Sequence, residues 1–180
     1  LVGSEMCIRD SRLCAPFAPM DAAEAELTLA RRYFTHYGPA SLRDAAYFFR
    51  VPQTRVKAWL KQLDAREIRV DGRMYYATKD APEGEMPHVR LLSGFDPMLL
   101  GYRKEDNPIL PPEHLRGVFN LTGIVHPTAL ADGRIVARWR EKDGKVELMP
   151  FENIGVRTKK RIEREVEKWF EVKEIRWMEI

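Results

Sequence analysis

The chain has 180 residues, 44% of them hydrophobic and 32% charged, with 30 Lys and Arg against 27 Asp and Glu and a formal net charge of +3. Cys7 and Cys14 stand without a Cys or His cluster; this excludes a disulfide scaffold or zinc ribbon and leaves a reducing, cytoplasmic setting as the default. No stretch approaches the roughly 20 apolar residues that a membrane-spanning helix needs, and the mild basic excess is only a weak pointer to an anionic partner.

In chain order, the first residues, LVGSEMCIRDS, show neither helical nor strand periodicity. Their back-translation resembles the transposon adaptor used to prepare DNA for sequencing. Residues 1–11 are therefore set aside from fold reasoning, and that resemblance implies a reading frame cut upstream. Residues 12–20, rich in Pro and Ala, read as a linker. Asp21 opens a helix with Glu24 at capping-box spacing. Leu27, Ala30, Phe34 and Tyr37 form its apolar stripe, and Gly38-Pro39 stops it. Ser41 caps a second helix running to Arg50, with Leu42, Ala45, Ala46 and Phe49 inward. A third helix is predicted over Gln53–Leu63. Val56, Trp59, Leu60 and Leu63 stand there at i, i+3, i+4 and i+7, while Arg55, Lys57 and Lys61 face out. Asp71-Gly72, between Ile68-Arg69-Val70 and Arg73-Met74-Tyr75-Tyr76, signals a tight hairpin.

Three helices followed by a hairpin make a winged-helix pattern over residues 21–80. In such a unit the third helix enters the major groove and the hairpin touches the flanking backbone. Arg55, Lys57, Lys61, Arg69 and Arg73 then meet phosphates. The same pattern also suits a structural or protein-interaction module with a solvated charged face.

Residues 79–87 form a second linker, of Pro, Gly and acids. Beyond it the texture changes to short strand-like runs. Val89–Leu92 is a strand, 115–120 and 123–125 are short apolar runs, and 128–130 pairs with 134–139 across Asp132-Gly133. Residues 145–149 follow Asp143-Gly144. Residues 157–170 read as a helix packing through Ile162, Val166, Trp169 and Phe170, and 172–180 as a last strand closing the sheet. Short strands with Asp-Gly turns at close spacing suggest a small barrel. The expected fold class is α+β: a winged helix-turn-helix, then a β-barrel-like domain over 88–180 with a C-terminal helix.

Three blocks in this half carry a family resemblance. Phe95-Asp96-Pro97 is followed by Leu99-Leu100-Gly101-Tyr102-Arg103. Asn120, Gly123, Val125, Pro127 and Thr128 come next, then Asp132-Gly133-Arg134 with Trp139. Together they resemble the winged-helix DNA-binding family that includes the AlkZ-type DNA glycosylases and the YcaQ proteins. The likeness runs from about Glu24 to Ile180. It implies tandem winged helices followed by a β-barrel, double-stranded DNA as partner, and excision of alkylated bases by hydrolysis of the glycosidic bond. It also places His126 and Arg134 near DNA, at or beside a hairpin. Arg103, with Lys104, follows an apolar stretch and either reaches phosphate or remains a solvated pair. Asp96 is expected to accept backbone hydrogen bonds in a turn.

The family's catalytic motif resembles Gln-x-Gln or Gln-x-Asp, in the N-terminal part of the full protein. Here Gln53 is followed by Arg55 and does not match. Gln62-Leu63-Asp64 matches literally but falls at the end of the third helix, where it reads as an exposed Gln and a capping Asp. No catalytic residue is therefore assigned. The chain is expected to be the DNA-binding C-terminal part of a glycosylase-like parent. The alternatives are a non-enzymatic winged-helix DNA binder or regulator, and an interaction module. His36, His88, His114 and His126 show no ligand spacing, so no metal is expected, nor any cofactor or membrane partner. The chain is expected to be a monomer.

Overall fold

The structure, a computed structural model, describes residues 18–82 and 84–179. The adaptor-like segment 1–11, most of the linker at 12–20, both cysteines and Ile180 lie outside the described residues.

Helix α1 (Ala22–His36) begins where the Asp21 carboxylate accepts from the backbone N–H groups of Ala23 and Glu24. Helix α2 (Leu42–Phe49) begins in a complete capping box between Ser41 and Asp44. Helix α3 (Gln53–Leu63) has the bounds its periodicity predicts, and Val56, Trp59, Leu60 and Leu63 are its buried residues. They close on Ala30, Tyr33 and Phe34 of α1 and Ala45 of α2 in one apolar cluster. Strands β1 (Arg66–Val70) and β2 (Arg73–Ala77) pair antiparallel. Asp71 and Gly72 between them have φ of 47° and 75°, the left-handed pair that a two-residue hairpin turn requires. Ala40 and Tyr76 exchange backbone hydrogen bonds of 2.9 and 2.8 Å, which fasten this hairpin to the α1–α2 connection.

The second half is a five-stranded sheet in the order β3-β4-β5-β6-β7. Its strands are β3 (Val89–Leu92), β4 (Thr128–Ala131), β5 (Arg134–Lys142), β6 (Lys145–Pro150) and β7 (Glu174–Trp177). Every adjacent pair is antiparallel except β6–β7, which is parallel. Parallel neighbours need a crossover, and helix α6 (Val156–Trp169) lies between these two strands in the chain. All of β4 is buried, because successive side chains point to opposite faces and both faces are covered. Ile162 and Val166 of α6 pack with Ala129 and Ala131. Leu130 packs instead with Leu99 of α4 (Pro97–Leu100) and Val118 of α5 (Leu115–Val118).

Three expectations are corrected. The sheet is open and forms no barrel: β7 joins β6 as an edge strand, and α6 packs on β3 and β4, so a helix and not a strand covers that side. The apolar run at 115–120 forms the single turn α5, with only an isolated bridge from Phe119 to Val125. Trp169 is 60% exposed and leaves the packing face. Phe170 takes the place beside Trp139, at 5.2 Å between rings, and the Trp169 indole donates to Glu165.

Candidate nucleic-acid interface

The outward cations of α3 owe their position to its buried stripe. Since Val56, Trp59, Leu60 and Leu63 fix the inner face, Lys57 and Lys61, one turn apart, must stand in solvent. Neither has a carboxylate partner among the described residues. They border a shallow hollow of about 380 Å³ that also takes in Asp64, Glu67 and Tyr76. Arg55, on the same helix, is different. Its guanidinium is held by Glu26 of α1, with Nε at 3.0 Å from Oε2. Arg69 on β1 is exposed and has no ion-pair partner among the described residues.

Arg73 on β2 and Arg103 meet at one carboxylate. Arg73 Nη1 lies 3.9 Å from Asp106 Oδ1, and Arg103 Nη1 lies 3.4 Å from Asp106 Oδ2. Arg103 Nε is also 3.2 Å from Glu105. A groove of about 510 Å³ runs from Arg73 and Tyr75 past Asp106 to Glu113 and Arg134. Arg134, at the start of β5, pairs with Glu152 at 3.2 Å and reaches Glu113 at 3.9 Å. His126 is half-buried; its backbone N–H donates to Val118, and its ring has no partner among the described residues. The expected cations thus divide into those free of carboxylates (Lys57, Lys61, Arg69) and those already paired (Arg55, Arg73, Arg103, Arg134).

The hairpin joining β4 and β5 is clamped from outside. The Asp132 carboxylate accepts from Arg161 of α6 at 2.9 and 3.2 Å and lies 2.9 Å from His88 Nδ1. Hydrogen bonds from Arg161 and His88 hold its carboxyl below the ordinary value of 3.8. The spacing of sequence motifs carries no signal for this clamp, whose members lie at 88, 132 and 161.

The two halves are joined through the Leu-Leu-Gly-Tyr-Arg block. Asp96 caps α4 by accepting from Met98 at 3.0 Å, as a turn aspartate should. The chain then presents Gly101 and Tyr102 to α1. Tyr33 donates to the Gly101 carbonyl at 2.8 Å, and Tyr102 donates to the Tyr37 carbonyl at 2.8 Å. Asp44, only 2% exposed, accepts from the Arg103 backbone N–H at 3.0 Å. Burial, then the Asp44 charge, pushes the Tyr102 hydroxyl up to about 12, and Tyr33 rises for the same reasons. Both phenols therefore stay protonated as donors. Ser41-x-x-Asp44 spacing marks Asp44 as a cap residue, but its second oxygen is used by a partner 59 residues away.

Gln62-Leu63-Asp64 is a helix end. Leu63 is buried, Gln62 donates to the Ala58 carbonyl at 3.4 Å, and Asp64 is the left-handed C-cap, paired with Lys79.

The family model described as "DNA glycosylase AlkZ-like" matches residues 4–172, a span that begins inside the adaptor-like segment. An interstrand DNA cross-link repair glycosylase of Streptomyces sahachiroi is 30% identical, over 79% of this chain and 41% of that protein. The solved structure of Streptomyces sahachiroi DNA glycosylase AlkZ is similar with a TM-score of 0.73 at 25% identity, over 86% of this chain and 46% of that one. The chain spans less than half the length of the relatives it matches.

Proposed function

The chain belongs to the family of AlkZ-like DNA glycosylases, and on that premise we propose that it binds duplex DNA as the C-terminal part of a longer base-excising protein. On this reading α1–α3 with the β1–β2 hairpin act as a winged helix. α3 lies in the major groove with Lys57 and Lys61 on phosphates, and the hairpin brings Arg69 to the adjacent backbone. One observation carries this reading: Lys57, Lys61 and Arg69 lack carboxylate partners among the described residues, whereas Arg55 is tied to Glu26. Free cations can neutralise phosphates and release counterions; a cation already neutralised gains less. Arg73, Arg103 and Arg134 reach DNA only by exchanging a carboxylate for a phosphate. His126, half-buried and with no ring partner among the described residues, serves as a secondary contact.

The substrate class follows the family: duplex DNA carrying an alkylated base, cross-linked lesions included. Excision needs a polar group that orients water against the sugar carbon. Gln62 and Asp64 do not supply it, because Gln62 is turned back onto its own helix and Asp64 is engaged by Lys79. On this reading excision by the parent falls to residues other than these two. The test has two arms. Fluorescence anisotropy of a labelled duplex at low salt should show binding by the 180-residue chain. An alkylated-base release assay on the same chain should show none. Absence of binding would overturn the DNA-binding reading. Base release by the 180-residue chain would overturn the placement of catalysis elsewhere, and its loss in Gln62→Ala would assign it to Gln62. A non-enzymatic regulator, the second reading, would instead discriminate strongly between undamaged sequences.

A further inference from the structure

We propose that the outer face of α6 is a second phosphate-contacting surface, separate from α3, that engages the DNA backbone. This rests on the DNA-binding reading above and extends it to the sheet half of the molecule.

Ile162 and Val166 are buried against β4 and its neighbours. On a helix turning every 3.6 residues, the side chains of Arg157, Lys160, Arg161, Arg164 and Lys168 fall within about 100° of arc opposite them. Glu163, Glu165 and Glu167 flank this arc and do not interrupt it. The stripe runs for about 16 Å along the axis, from the first turn to the last. Arg161 is spent on the Asp132 clamp, and Lys168 lies 3.6 Å from Glu165. Arg157, Lys160 and Arg164 are exposed and have no carboxylate partner among the described residues.

Stability does not account for this arrangement. The first turn of α6 holds Arg157 and no acidic residue, and Gly155 gives no side-chain cap. Cations near the start of a helix oppose its dipole, and like charges one turn apart repel. A surface that costs stability while collecting unpaired cations suits an anionic polymer. Of the two common anionic partners, nucleic acid fits better than a bilayer. A membrane-surface helix needs its apolar face free to enter the lipid, and here Ile162 and Val166 are committed to the sheet. The position is also apt. Arg161 ties the stripe to the tip of the β4–β5 hairpin, with Arg134 two residues beyond Asp132.

Binding of a labelled random-sequence duplex by the 180-residue chain should be measured against salt for wild type and Lys160→Gln/Arg164→Gln. Gln keeps helix propensity, so the variant should melt at or slightly above the wild-type temperature. Each phosphate contact contributes about 0.9 to the slope of log affinity against log salt. The expected result is a slope shallower by about 1.8 in the variant, with sequence preference unchanged. An unchanged slope, in a wild type that does bind duplex, would overturn this inference and leave the α3 reading standing. No wild-type binding at all would overturn both. Loss of binding to phosphatidylserine vesicles, with duplex binding intact, would replace the nucleic acid with a membrane.

Discussion

Gly101→Ala is the sharpest perturbation of the joint between the two halves. A Cβ at this position would lie 2.2 and 2.3 Å from Cδ1 and Cε1 of the Tyr37 ring and 3.0 Å from the Pro97 carbonyl oxygen. The Tyr37 ring cannot easily withdraw. It stacks on Tyr33 at 5.2 Å and meets Phe48 at 5.5 Å and Tyr102 at 6.2 Å. Overpacking of this kind costs about 1–3 kcal/mol. Displacing Gly101 and Tyr37 also weakens the hydrogen bonds from Tyr33 and Tyr102, each contributing about 1 kcal/mol net. The expected total is about 2–4 kcal/mol, which for a chain of this length lowers Tm by roughly 5–15 °C. Thermal melting by circular dichroism reads it directly. Tyr37→Leu in the Gly101→Ala background should restore part of the loss, because the two changes share one space. A Tm within 2 °C of wild type for Gly101→Ala alone would refute the close approach.

Other consequences can be checked independently. Ser41→Ala removes one half of the α2 capping box and should cost about 1 kcal/mol in denaturant melts; no change would mean the cap is dispensable. Asp132 has a folded pKa below its ordinary value, so its clamp contributes above that value and is lost as pH falls through the folded pKa. Because the site is exposed, the loss should stay within about 1 kcal/mol. Asp132→Asn should remove this part of the acid dependence below pH 3.8 while keeping the left-handed turn, and an identical acid profile would contradict the clamp. Arg55→Gln should weaken duplex binding less than Lys57→Gln, because Glu26 already neutralises Arg55; the reverse order would sink the distinction between paired and free cations.

Local periodicity carried much of this fold. The spacing of Val56, Trp59, Leu60 and Leu63 settles both the bounds and the inner face of α3, and Asp-Gly marks the β1–β2 and β4–β5 turns because both residues tolerate positive φ. Sheet closure was not legible. The strands flanking the Asp-Gly turns are legible in the chain, whereas the place of β7 depends on the crossover through α6. Trp169 satisfies the apolar stripe, yet it ends the helix, and Phe170 reaches Trp139 first. The same limit applies to the interface. Which residues are cationic is plain from the chain, but which are free depends on distant carboxylates: Glu26 for Arg55, Asp106 for Arg73 and Arg103, and Glu152 for Arg134. The cationic stripe on α6 stands at i, i+3, i+7 and i+11 in the chain, opposite the apolar face of the same helix.

The central claim is that α3 contacts phosphate through two cations the fold leaves unpaired. Lys57→Gln/Lys61→Gln tests it most directly, with duplex affinity measured by anisotropy between 50 and 200 mM salt. Two lost contacts should flatten the slope of log affinity against log salt by about 1.8. The ratio of wild-type to variant affinity should then be about twelvefold larger at the low-salt end than at the high-salt end. A variant with the wild-type slope and affinity would contradict the claim and remove α3 from the DNA interface.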